Sequence, residues 1–299
     1  MTAVGGRTAP VDVGSIPPIG RSEALELATT EHARLVGLLR SLGPEDWFRP
    51  TDCPLWDVRA MAGHSVGMLG DFTSYRSLFR RMRAATRTAK REGVPMVDAM
   101  TAMQVADHAS LSRDELVERA AADGPRAAQW RAGANRLFRR MPMKEEIDGR
   151  TETWHMAYLL DVILTRDPWM HRVDISRATG RPHVLTAEHD GRIVADVVAE
   201  WARRHGRPFV LTLTGPAAAT WPGTGQETSC CWTPSSSAAR CRTRPGDRAA
   251  RAAGPVLTDR PRAFKRHLRS LAADQPHRSV SRRRTMGRLS QPPAPGGTR

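Results

Sequence analysis

The chain's 299 residues are enough for a real hydrophobic core, in one large domain or two smaller ones. They carry 46 Lys+Arg against 31 Asp+Glu, a formal charge of +15 that invites a nucleic-acid reading, with 4 Cys and 5% aromatic residues. No run approaches the roughly 18–20 apolar residues of a membrane span, no signal peptide is read in residues 1–20, and the cysteine spacing argues against a disulfide framework or a zinc ribbon; the expectation is a cytoplasmic protein.

Residues 1–20 read as a flexible leader. From Ser22 to Leu42 the apolar positions fall mostly at helical spacing, and Gly43-Pro44 stops the run. A loop with Pro50 and Pro54 as breakers precedes Asp57, a fair N-cap for a long second helix running from Val58 through Met82. A Met-rich helix is expected over Met96 to His108. Ser112 and Glu115 have capping-box spacing and open another helix, with Gly124-Pro125 a candidate interruption before it resumes to Arg140. Thr153 to Thr165 reads as a buried helix, continued or restarted at Asp167-Pro168 and ended by Gly180. Thr186 to His205 is one more amphipathic helix, and Pro208 to Gly215 is the one convincing strand. The fold class is mainly α, a bundle with short connections followed by the opening of a small α/β unit.

The charge is unevenly placed. Residues 1–221 hold 30 basic and 27 acidic side chains, whereas residues 222–299 hold 16 and 4. The body is thus near neutral. The tail is poor in large aliphatics and rich in Arg, Pro and Ser, so it is expected to be disordered. GC-rich codons for residues 226–241, read one nucleotide out of register, can spell a well-patterned amphipathic helix. That suggests a frameshift near residues 218–226, an idea that a gene encoding no such helix in another frame would remove.

Two stretches carry candidate chemistry. One is Thr51-Asp52-Cys53-Pro54-Leu55-Trp56-Asp57-Val58-Arg59 with Gly63-His64-Ser65-Val66-Gly67 on the second helix. The other is Asp167-Pro168-Trp169-Met170-His171-Arg172-Val173-Asp174. Asp167 and His171 are spaced i,i+4 and share a helix face. Two ligands one turn apart, with a third from a facing helix, is how bundles build open metal sites, and an imidazole–imidazole–carboxylate set suits Zn2+ or another borderline divalent ion.

Plainer readings stand beside this one. Asp167 before Pro168 also suits an N-cap and first-turn pair, which would use one carboxylate oxygen and leave the other free. Asp174 is either an orienting partner of a ligand or a surface residue beside Arg172 and Arg177. Cys53 and the Trp residues 56, 130, 154, 169 and 201 read as packing, with Trp169 near enough to the candidate ligands to line a pocket. Met96, Met100 and Met103 read as core filler. The Arg pairs at 80–81, 139–140 and 203–204 read as solvated helix faces. His155 falls outside the site by helical phase.

The ordered pattern T-x-C-P-x-W-x-V-R and H-x-x-G, followed by a carboxylate-x-x-x-H-x-x-D stretch, resembles the mycothiol-dependent maleylpyruvate isomerase family within the DinB-like metal-binding four-helix bundles. The resemblance spans residues 20–215. While composition alone marks 222–299 as a low-complexity tail, the resemblance implies a DinB-like bundle over 21–182 and part of a C-terminal α/β unit over 183–221. It implies a divalent metal, usually zinc, held by His64, Asp167 and His171; this chain has Asp where the family commonly has Glu. It also implies mycothiol as thiol cosubstrate and a small-molecule substrate in an isomerase or thiol transferase. The alternatives are a catalytically impaired metal-binding remnant and, ranked last, a nucleic-acid binder acting through the basic tail.

Overall fold

The computed structural model describes residues 12–147 and 150–205, together with the strand segments 210–213, 219–222, 229–231 and 240–242. Helix α1 spans Arg21–Ser41 and turns its apolar face inward through Leu27, Leu35, Leu38 and Leu39. Helix α2, Val58–Asp71, begins where Asp57 accepts the Ala60 N–H at 2.7 Å. The sequence expects this helix to continue to Met82, but the chain breaks at residues 72–74. The Phe72 N–H turns back to the carbonyls of the last turn, and the Ser74 hydroxyl accepts the Ser77 N–H at 3.1 Å to start α3, Tyr75–Glu92. The break hides in an uninterrupted apolar period, since Phe72 and Leu78 are both buried.

Helix α4 spans Met96–His108. Helix α5 spans Arg113–Gly133 and opens with the expected capping box: the Ser112 N–H donates to Glu115 Oε2 at 2.6 Å, and the Glu115 N–H donates to Ser112 Oγ at 3.2 Å. It passes Gly124-Pro125 without interruption. A Cβ on Gly124 would lie 3.0 Å from His32 Cβ, so the glycine is there for close approach to α1. After the short α6, Arg136–Arg139, comes a hairpin of β1, Pro142–Ile147, and β2, Arg150–His155, paired antiparallel. The expected helix from Thr153 therefore starts later, with α7 at Met156–Tyr158. It runs through a π turn, Leu159–Ile163, into α8, Leu164–Thr179, which ends at Gly180 with φ +69°. A second π turn, Ala187–Gly191, leads into α9, Arg192–His205. Strand β3, Val210–Leu213, pairs antiparallel with β4, Ala219–Pro222, as β5, Ser229–Cys231, does with β6, Arg240–Arg242. Apart from these strands, the expectations for the tail lie outside the described residues.

Helices α1 and α2 each pack against both α5 and α8, so the ring α1–α5–α2–α8 is a four-helix bundle, with α3 and α4 stacked outside α2. The main core fills this ring with Leu35, Leu39, Met61, Leu69, Leu116 and Leu160. A second cluster joins α8 to α9 through Trp169, Val173, Ile193 and Val198, and Val13, Ile16 and Ile19 also pack there. No described helix is long and apolar enough to cross a membrane.

His32 sits deep in the α1–α5 interface. Its Nδ1–H donates to the Gly124 carbonyl at 2.9 Å, while Nε2 is buried without a partner. Burial, with Arg131 nearby, lowers its pKa from 6.5 to about 3. The unfolded chain therefore takes up this proton first as the pH falls, so the contribution is intact above 6.5 and is lost progressively towards 3. His32→Gln should flatten the fall in unfolding free energy between pH 5.5 and 4 by about 1.3 kcal/mol per pH unit. Urea titrations at several pH values measure this slope, and an unchanged slope would rule out a role for His32.

Candidate metal centre

The small residues of Gly63-His64-Ser65-Val66-Gly67 seat α2 against α4. A Cβ on Gly67 would come within 2.7 Å of Gln104 Cβ, and one on Gly63 within 3.4 Å of His108 Cβ. His64 faces α8. There its Nε2 lies 3.6 Å from Asp167 Oδ2, beyond hydrogen-bond reach, and His171 Nε2 lies 3.3 Å from Asp167 Oδ1. All three residues are buried, and each offers one ligand atom within 4.8 Å of the others. Burial alone would raise the Asp167 carboxyl, but the imidazoles of His171 and His64 outweigh it and hold the group well below the usual carboxylate range.

Asp167 does not cap a helix. Its helix begins at Leu164 and Pro168 lies inside it, so the carboxylate is aimed at the two imidazoles instead. Its Oδ2 is buried with no hydrogen bond. Two imidazole nitrogens converging on a carboxylate with an unfilled buried oxygen fit a borderline divalent cation.

Trp56 completes the surroundings. Thr51 Oγ1 donates to the Trp56 carbonyl at 2.7 Å and the Trp56 N–H donates to the Cys53 carbonyl at 3.0 Å, which folds the loop over α2. The indole lies 4.8 Å from the His64 ring at an interplanar angle of 33°, and 6.0 Å from His171. His64 Nδ1 is buried without a hydrogen bond, so packing against Trp56 orients this ring where a polar partner commonly does. Trp56 is thus the tryptophan beside the histidines. Trp169 points away, its Nε1–H donating to Asp190 at 2.9 Å. Asp174 is buried rather than on the surface, and His155, at the end of β2, is exposed and outside the cluster.

Helix α8 is held by buried cations that the sequence reading missed. Arg172 binds both Glu31 oxygens at 2.6 and 3.0 Å and Asp190 at 2.8 Å. Arg34 and Trp169 also donate to Asp190, and His189 Nε2 bonds Glu31 at 2.8 Å. Glu31, His189 and Asp190 form a second cluster of possible ligands. Each of its carboxylate oxygens already accepts a bond from arginine, imidazole, indole or amide, so the cluster is an ion-pair cage. Arg139, read as a solvated face, is buried against Asp161, and Arg81 pairs with Asp71 and Asp107. Arg131, fully enclosed, donates to the carbonyls of Leu160 and Leu164 and to Thr165 Oγ1. Burial lowers its guanidinium from 12.5 to about 10, so it stays charged at neutral pH. An arginine among Ala127, Ala128 and Ala134 on an inward face was the available signal for such a buried donor.

Ring, cluster and loop together define a helical bundle with an inward-facing two-histidine, one-carboxylate centre. Residues 28–176 match the mycothiol maleylpyruvate isomerase N-terminal domain, and through this domain the chain belongs to that family. No curated protein matches the chain. Among solved structures it is similar to the crystal structure of the mycothiol-dependent maleylpyruvate isomerase, at 16% identity and a TM-score of 0.46, over 75% of this chain and 88% of that one. A histidine-to-alanine mutant of that enzyme is similar at 17% identity and a TM-score of 0.44, with the same coverage.

Proposed function

We propose that His64, Asp167 and His171 hold one divalent metal ion, zinc by donor chemistry, and that the protein is a mycothiol-using isomerase or thiol transferase acting on a small molecule. The observation that carries this reading is the convergence of three buried ligand atoms within 4.8 Å. A metal bound there supplies a Lewis acid that favours thiolate over thiol at neutral pH. His64 and His171 present Nε2 to the centre, Asp167 stays ionised as its anionic member, and Trp56 covers one side against water. In an isomerisation, the thiolate sulfur bonds to one carbon of an activated cis double bond. The remaining single bond rotates, and the thiolate is expelled as the trans double bond forms. In a transfer, the carbon–sulfur bond is kept and the neighbouring carbon, left with the electron pair of the double bond, takes up a proton.

The test is metal content after zinc loading and gel filtration, followed by cis-to-trans conversion and thiol consumption with mycothiol and an activated cis-alkene. One equivalent of zinc with metal-dependent reaction supports the proposal. A protein that retains no divalent metal overturns the metal reading. Full loading without any thiol chemistry overturns the enzyme and favours a metal-binding remnant.

A further inference from the structure

The stretch Met156–Thr179 that carries Asp167 and His171 has two faults in its hydrogen-bond ladder, one turn apart. In the π turn the Leu164 N–H reaches back to Leu159, so Leu160 loses the donor that a regular α-helix would give it. Pro168 has no N–H, so Leu164 loses its donor in the same way. Arg131, arriving from α5, meets both carbonyls: Nε–H donates to Leu160 at 2.9 Å and Nη1–H to Leu164 at 2.9 Å, while Nη2–H holds Thr165 Oγ1 at 2.8 Å. Neighbouring Arg139 donates to the Arg131 carbonyl and to Asp161 inside the π turn.

The π turn also sets helical phase. One residue added to a turn rotates everything after it by about 100°. Which way Asp167 and His171 face therefore depends on keeping that extra residue, and a planar fork matched to the two carbonyls favours the π-turn register over a regular helix.

We propose that Arg131 is a positioning residue of the His64–Asp167–His171 centre, fixing the register of α8 by filling the two carbonyls that the π turn and Pro168 leave without an α-helical donor. The inference rests on the metal reading above. Arg131 touches neither metal nor substrate and acts through the backbone that carries the ligands.

The test uses the full chain with Co2+ as probe, reading affinity by competition with a chromophoric chelator and coordination from the visible ligand-field bands. Arg131→Met should weaken Co2+ binding by about 10–100-fold, as loss of an outer partner does, and should shift the ligand-field bands. Pro168→Ala returns an N–H to Leu164, so it should restore part of the affinity and the spectrum in the Arg131→Met background. Arg131→Lys keeps the charge without the fork and should fall between wild type and Met; it decides the matter if circular dichroism shows the Met variant unfolded. Wild-type affinity and bands in a folded Arg131→Met, or in Arg131→Lys, overturn the inference. So does lowered thermal stability with unchanged Co2+ binding by the folded protein. A wild-type protein that takes up no Co2+ overturns the metal reading itself, an outcome distinct from wild-type uptake that the Arg131 variants leave unaltered.

Discussion

Replacing His171 by alanine is expected to leave a protein that no longer keeps a stoichiometric divalent ion through gel filtration. The proposed centre has three side-chain atoms that could serve as ligands, two of them on neighbouring turns of α8. Deleting one leaves a two-ligand site, and the second acidic cluster, consumed by Arg172 and Arg34, does not take its place. The loss should exceed the roughly 10–100-fold cost of removing an outer partner. His64→Ala should behave alike, with the added consequence that the Trp56 indole loses the ring it packs on. Asp167→Asn is the cleanest of the three. It keeps the volume of a buried side chain but removes the one negative charge of the cluster, so metal should be lost while the far-ultraviolet spectrum is kept. Elemental analysis of loaded, desalted protein checks all three variants, and full zinc content in any of them means that its residue is not a ligand.

The largest effect on stability is expected from Arg172→Met. Arg172 is 2% exposed, and its guanidinium neutralises Glu31 and Asp190, themselves fully buried. Removing one partner from such a cage leaves uncompensated buried charge and costs about 3–5 kcal/mol. At roughly 2–4 °C per kcal/mol for a body of this size, the melting temperature should drop by about 10 °C. Adding Glu31→Gln should recover part of the loss, because the amide no longer needs a cation, while Asp190 keeps Arg34, Trp169 and the Thr186 N–H. Thermal melts of the single and double variants decide it. A drop under about 2 °C in the single variant would mean that the cage does not hold α8 in place.

Much of this architecture is legible in the residues. Asp57, the Ser112–Glu115 box and Gly180 mark helix ends by local hydrogen bonding, which the sequence carries directly. The spacing of Asp167 and His171 places both on one face for the same reason, and the three candidate ligands do come together. What stays hidden leaves no periodic or capping signal, or depends on partners far along the chain. The hairpin of residues 142–155 alternates no apolar face, with Lys144, Glu145 and Glu146 opposite Thr153, Glu152 and Thr151. The π turn is a slip of one residue in an otherwise continuous apolar run, invisible to a periodicity count. Asp-Pro reads as a helix start because its usual stabilisation is local. Here Arg131 supplies from another helix the bond that the proline removes, so the helix runs through. The buried arginines look like surface charge until their carboxylate and carbonyl partners are in view.

His64 and Asp167 lie on helices far apart in the chain yet face each other across the ring. An ion shared between them would clip shut a loop of roughly a hundred residues, with the loop-closure entropy cost already met by folding. Such a clip binds the native protein and not the unfolded one, so it adds stability in proportion to its saturation, about 2.7 kcal/mol at a hundredfold excess over the dissociation constant. The same three side chains proposed as a reactive centre would then act as a reversible staple, making the durability of the bundle depend on how much metal its surroundings supply.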